Sequence, residues 1–227
     1  CYKGEFVYDE LRGKGEMRYQ KGHRYIGDWA ENQKNGYGVF YYCDGHIYEG
    51  HWVNDLRVGK GKMTFNPGLL IEESYDGDWV NDLKHGYGRY AYRKDEGTVY
   101  EGDWVWGTRH GKGKISYADG SFYRGDFKQE QMWGKGVYVS KEGAQYEGDW
   151  VNNMRHGVGT LMSPDGVMYQ GEFWSNMKQG KGFEIRIDGS KYEGTWDCGV
   201  CVGEGRSTIQ VGQGASGDDI DYSLQSR

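Results

Sequence analysis

The side chains of this 227-residue chain that could carry chemistry are its four cysteines, its six histidines and two columns of charge. His85, His110 and His156 each stand directly before a Gly-x-Gly triplet. Imidazoles are common zinc ligands, but these three occupy the same place in different chain segments, about 10 Å or more apart in a sheet, and bonds of about 2 Å to one ion cannot gather them. Cys198-Gly199-Val200-Cys201 is a lone Cys-x-x-Cys. Zinc would need a second ligand pair nearby, and a redox pair would expect a strand-to-helix setting, so the segment reads as a turn. The acids Glu5, Asp28, Asp78, Asp103, Asp126, Asp149 and Glu172 suggest cation binding. Bases such as Lys14, Lys60, Lys112, Lys135 and Lys181 recur on the neighbouring strand, however, which makes the acids half of a solvent-side charge ladder. The Gly-x-Gly triplets are not phosphate loops, because no helix follows them. A catalytic centre needs unlike groups that occur once and converge. Here the polar residues recur in columns, so the expectation is no catalytic residue, no metal, no cofactor and no enzyme.

The columns come from an internal repeat, which must be found before any fold is assigned. Tyr-x-Gly-x-(Trp/Phe) begins at Tyr2, Tyr25, Tyr48, Tyr75, Tyr100, Tyr123, Tyr146, Tyr169 and Tyr192, and each Tyr is followed 11 residues later by Gly-x-Gly. Most spacings are 23 residues; the longer ones, Tyr48 to Tyr75 and Tyr75 to Tyr100, put their extra residues after Gly-x-Gly. Each unit reads as a hairpin. The first strand is Tyr-x-Gly-x-Trp, a turn such as Asn81-Asp82 or Asn152-Asn153 follows, and the second strand runs from Gly-x-Gly. A late Asp-Gly, as in Asp44-Gly45 or Asp165-Gly166, supplies the positive φ of the next turn.

Strand alternation then sorts the faces. Tyr25, Gly27 and Trp29 share one side with Gly36, Gly38, Phe40 and Tyr42; equivalent pairs are Met17/Tyr19, Met63/Phe65, Tyr90/Tyr92 and Ile115/Tyr117. The prediction is an all-β, elongated, single-layer antiparallel meander over residues 1–206, roughly 85 Å long at about 4.8 Å per strand, with an irregular acidic tail over 207–227.

Composition bounds the function. Glycine (40 residues) and aromatics (16%) are abundant while proline is nearly absent, which fits short strands and tight turns and fits neither a disordered linker nor collagen. A net charge of −6 gives no general attraction to nucleic acid, and no apolar run reaches membrane-span length. The start at Cys1, neither an initiator Met nor a signal peptide, suggests a piece of a longer chain. Scattered cysteines suit a reducing, cytoplasmic compartment.

The pattern Tyr75-Asp76-Gly77-Asp78-Trp79 with His85-Gly86-Tyr87-Gly88, and its counterpart Tyr146-Glu147-Gly148-Asp149-Trp150 with His156-Gly157-Val158-Gly159, resembles the MORN repeat. The resemblance covers residues 2–205; Phe6, Phe127 and Phe173 depart from it by replacing Trp, and the ninth unit lacks a clear return strand. It implies a protein-interaction scaffold of the cytoskeleton, cilium or axoneme, such as a radial-spoke component. The alternatives it leaves open are a phosphoinositide or membrane-surface module and an accessory segment of a larger enzyme. Partners would be other proteins, bound as a peptide or helix along the aromatic face, with Tyr75, Trp79, Tyr100, Trp104, Tyr146, Trp150, Tyr192 and Trp196 as contact residues. A homodimer through a terminal repeat is a further expectation, because a meander leaves unpaired strand edges. The cations Lys34, Arg57, Lys84, Arg109, Arg155 and Lys178 recur beside the first turn and mark an edge that could follow an anionic membrane surface.

Overall fold

The computed structural model describes residues 1–208 and 222–223. Every element in them is a β-strand. Among the described residues no helix is long and apolar enough to cross a membrane. The chain divides into two units, Cys1–Ala118 and Asp119–Arg227.

The first unit holds five hairpins: β1 (Tyr2–Val7) and β2 (Glu10–Arg18), β3 (Arg24–Ala30) and β4 (Gln33–Tyr41), β5 (Ile47–Val53) and β6 (Leu56–Phe65), β7 (Glu73–Val80) and β8 (Leu83–Ala91), β9 (Val99–Val105) and β10 (Thr108–Ser116). Each strand pairs antiparallel with the next, which makes an open meander. The second unit repeats the plan with β11 (Phe122–Lys128), β12 (Gln131–Val139), β13 (Gln145–Val151), β14 (Met154–Met162), β15 (Met168–Trp174), β16 (Met177–Ile185), β17 (Lys191–Asp197), β18 (Val200–Thr208) and a short β19 (Tyr222–Ser223). The ninth repeat does have a return strand, contrary to the sequence reading. β18 pairs with β17, and β19 covers Arg206 and Ser207 on its outer side. Apart from Ser207, Thr208 and residues 222–223, the expected acidic tail lies outside the described residues.

The core is one ring system repeated. In each full repeat the motif Tyr lies along its strand over two glycines, its own and the second of Gly-x-Gly. A Cβ on Gly148 would sit 2.5 Å from the Gly159 Cα, and one on Gly159 would sit 2.5 Å from the Tyr146 hydroxyl. These glycines are therefore required by close approach rather than by backbone angle. Each Tyr hydroxyl donates to the carbonyl three residues on, as Tyr75 to Asp78 and Tyr146 to Asp149, both at 2.9 Å. Burial pushes the Tyr169 phenol up to about 12. Each ring also meets two others edge-on. Tyr75 packs at 5.1 Å on Trp79 and 5.3 Å on Trp104, and Tyr146 at 5.2 Å on Trp150 and 5.0 Å on Phe173. Indole N–H groups link neighbouring repeats: Trp79 donates to the Gly61 carbonyl at 2.9 Å and Trp150 to Gly136 at 3.1 Å.

The first glycine of Gly-x-Gly does not share that duty. Register slips inside every hairpin, as where Gly77 faces Gly88 but Asp78 faces His85, so Gly86 and Tyr87 form a bulge. Gly86 is left-handed (φ 59), and a Cβ there would meet Asp78 at 2.9 Å, on the acid side. The Asp78 carboxylate accepts the Tyr87 N–H at 3.1 Å, as Asp149 accepts that of Val158 at 2.9 Å and Glu172 that of Lys181 at 3.1 Å. The acid column thus clamps the bulges, besides forming the expected ladder pairs Lys14–Asp28, Lys60–Asp78 and Lys135–Asp149 at 2.6–2.8 Å.

A candidate protein-binding cavity on the ring face

The first turn of each hairpin places two residues in the left-handed region, such as Asn54-Asp55, Asn81-Asp82, Asn152-Asn153 and Ser175-Asn176. Asn and Asp tolerate that conformation, and they also carry a side-chain oxygen. That oxygen is used. Asp82 Oδ1 accepts the Arg57 N–H at 3.0 Å while the Asp82 N–H donates to the Arg57 carbonyl at 3.1 Å; Asn176 and Arg155 form the same reciprocal pair at 2.9 and 3.0 Å. The turn of one repeat therefore extends the strand ladder of the repeat before it.

The basic column lies beside this clasp. Lys34, Arg57, Lys84, Arg109, Arg155 and Lys178 pair directly across their hairpins with Trp29, Trp52, Trp79, Trp104, Trp150 and Phe173. They consequently share the ring face instead of fringing an outer edge, as the sequence reading had it. Strand alternation is the physical reason, since each cation stands four residues before the second glycine and the bulge between them displaces only the first. Arg57 lies 4.5 Å from the Trp79 ring centre, Lys84 4.1 Å from Trp104 and Lys178 4.5 Å from Tyr169. Cations of the column also meet carboxylates. Lys34 meets Asp55 at 2.9 Å, Arg57 meets Asp82 at 2.8 Å and Lys178 meets Glu184 at 2.9 Å. A cation held on stacked rings and paired at a turn is poorly placed to follow a lipid surface.

The predicted contact rings are likewise the core. Tyr75, Trp79, Tyr100, Trp104, Tyr146, Trp150 and Trp196 are buried, and Tyr192 is half-buried. What a visitor would meet is a second layer, two and four residues beyond the second glycine. In the first unit that layer is aromatic, with Phe40 on Tyr42 and Tyr90 on Tyr92, each at 4.6 Å. In the second unit the outer position holds Ser140, Ser163 and Arg186. A cavity of about 330 Å³ lies over β12–β15, lined by Met132, Tyr138, Ala144, Tyr146, Trp150, Asn153, Arg155, Leu161 and Asn176. Sequence reasoning missed it, although the switch from Tyr42 and Tyr92 to Ser140 and Ser163 is visible in the aligned repeats.

Arg155 is the charged group of this cavity. Its guanidinium donates to the Asn176 carbonyl at 2.7 Å and lies 5.6 Å from the rings of both Tyr146 and Phe173. Burial lowers its pKa. Asn176 stands where the first unit has Asp82, and among the described residues no carboxylate pairs with this cation.

The other chemical candidates fall into structural places. His85 stacks on Trp106 at 4.9 Å and His156 on Trp174 at 4.3 Å. Cys198 and Gly199 form the last first-turn, and the Cys201 thiol contacts the Tyr192 hydroxyl at 3.1 Å. Among the described residues no three His, Cys, Asp or Glu side chains converge as metal ligands would.

A comparison with curated proteins gives no match. Among solved structures, the wild-type TCP10 domain of Danio rerio CPAP aligns at 10% identity over 91% of this chain and 99% of that chain, with a TM-score of 0.47. The SAS-4 (dCPAP) TCP domain of Drosophila melanogaster, in complex with a proline-rich motif of Ana2 (dSTIL), aligns at 11% identity over 94% and 90%, with a TM-score of 0.41. Likenesses this distant carry no argument about function. The MORN-repeat family model matches at residues 2–24, 25–47, 48–69, 75–95, 100–122, 123–145, 146–168, 169–191 and 192–213, nearly end to end and in phase with the hairpins above, and the chain belongs to the MORN-repeat family.

Proposed function

We propose that this chain is a non-catalytic scaffold of the cytoskeleton or axoneme that docks a segment of another protein on its ring face. The observation that carries the reading is the cavity over β12–β15, walled by Met132, Tyr138, Trp150 and Leu161 with Arg155 beside them. Apolar walls with a few convergent polar groups are what a docked side chain needs. The cellular setting rests on the family resemblance alone, and the cytoplasmic location on the scattered cysteines. The lipid-edge alternative loses its basis, because its cations lie on the rings.

A photoreactive benzoylphenylalanine placed at Tyr138 or Leu161 tests the docking. Control probes go at Val137 and Thr160, which flank Glu147 on the opposite face. In ciliary or cytoskeletal extract the first pair should form discrete adducts with a partner and the controls should not. Equal labelling from both faces, or none, would remove this reading.

A further inference from the structure

The basic column offers a comparison within one motif. At Arg57 the guanidinium Nε donates to Asp82 Oδ1 at 2.8 Å, Nη2 donates to the Asp82 carbonyl at 3.0 Å, and the charge is neutralised inside the chain. At Arg155 the carbonyl contact is kept, to Asn176 at 2.7 Å, while the carboxylate is replaced by an amide. A guanidinium has five donors, and a desolvated cation without an anion is costly. This one faces a cavity walled by Met132, Tyr138, Trp150 and Leu161. The site is therefore complementary to a group with an apolar body and a single negative charge. The chain's net charge of −6 supplies no long-range attraction to such a group, so any preference for it must come from Arg155 itself.

We infer that the cavity over β12–β15 takes an acidic side chain, Asp or Glu, next to a large apolar residue of a partner peptide, with Arg155 as its counter-ion. The inference rests on the docking reading and adds its chemistry. The carboxylate completes the fork that Asp82 completes at Arg57, and the neighbouring apolar side chain fills the space between Met132, Tyr138, Trp150 and Leu161.

Selection from a random peptide library displayed internally, so that no peptide has a free C-terminal carboxylate, tests this on the whole chain. The unaltered chain should enrich peptides with Asp or Glu beside Leu, Ile, Met or an aromatic. Asn176→Asp, which supplies the anion from within, should abolish the acidic preference and weaken the recovered peptides about tenfold, while raising the melting temperature. Arg155→Gln should shift enrichment to uncharged peptides. Peptides enriched without an acid, or an acidic preference that survives Asn176→Asp, would overturn the counter-ion inference and leave docking intact. Recovery of no peptide by any variant would overturn both. A second library of free C-terminal peptides separates a side-chain acid from a terminal carboxylate; enrichment only there would overturn the side-chain assignment.

Discussion

In the Cys1–Ala118 unit the Arg57 guanidinium meets a carboxylate, and a second layer of rings, Phe40 with Tyr42 and Tyr90 with Tyr92, lies over the core. In the Asp119–Arg227 unit Arg155 meets the Asn176 carbonyl and two rings but, among the described residues, no carboxylate; serines stand at 140 and 163, and a cavity lies over β12–β15. Beneath that difference the two units share the same parts: a Tyr over a glycine pair, edge-on rings, a clamped bulge and a clasping turn. The contrast teaches that the repeat's fold and its binding surface are separately encoded. The glycines, Tyr and Trp build the hairpin, while residues two and four beyond the second glycine, and the residue at the end of the first turn, decide whether the ring face is filled or open.

The largest expected effect tests the shared part. Gly88→Val and Gly159→Val each drive a branched side chain into the Tyr beneath, Tyr75 or Tyr146, and should each cost about 3 kcal/mol or more in chemical denaturation. A cost in one unit alone would mean that the two cores are not equivalent. Next comes the reciprocal exchange at the clasp. Asp82→Asn strands a half-buried guanidinium and should destabilise by about 1–2 kcal/mol, whereas Asn176→Asp should stabilise by about 1 kcal/mol. If both changes move the melting temperature the same way, the comparison between Arg57 and Arg155 fails.

A smaller effect depends on pH. Burial alone would raise the Asp28 and Asp149 carboxyls. Hydrogen bonds from Lys14 and the Tyr37 N–H, and from Lys135 and the Val158 N–H, outweigh it and hold both below the usual range. A carboxyl more acidic in the folded state stabilises the fold above its unfolded value of about 4 and loses that contribution as pH falls through the folded value. Acid unfolding of Asp28→Asn and Asp149→Asn should therefore be less steep below about pH 4 than that of the unaltered chain, and alike for the two; an unchanged slope would rule out the clamp as a charged contact. The smallest change is Phe173→Trp. Trp52, Trp79 and Trp150 donate to the second glycine carbonyl of the preceding repeat, so a Trp at 173 should reach the Gly159 carbonyl and shift stability by less than about 1 kcal/mol.

The hairpins, their order and the buried Tyr-Gly-Trp face were legible in the sequence, because a period-2 pattern marked off by turn residues leaves few alternatives. The bulge was not. Nothing local distinguishes Gly86, which serves a left-handed backbone, from Gly88, which serves a ring, and reading them as one parity put both on the ring face. The clasp was hidden because Asn and Asp at a turn already have a sufficient local reason, and their second duty joins residues such as Asn176 and Arg155 across 21 positions. Strand β18 went unrecognised because Val200–Thr208 has no late Asp-Gly to close it. The candidate cavity was half legible: the loss of aromatics at Ser140 and Ser163 stands in the aligned repeats, but the open space beside Arg155 is a fact of three dimensions.

The central claim is that a partner segment docks on the second unit's ring face, and hydrogen–deuterium exchange of the whole chain with and without the peptide recovered on it tests this most directly. Docking over the cavity predicts slowed exchange in β12–β15 and none in β3–β6, where the outer rings are in place. Protection centred on β3–β6, or on the opposite face around Glu147 and Thr160 with the cavity residues unchanged, would contradict it.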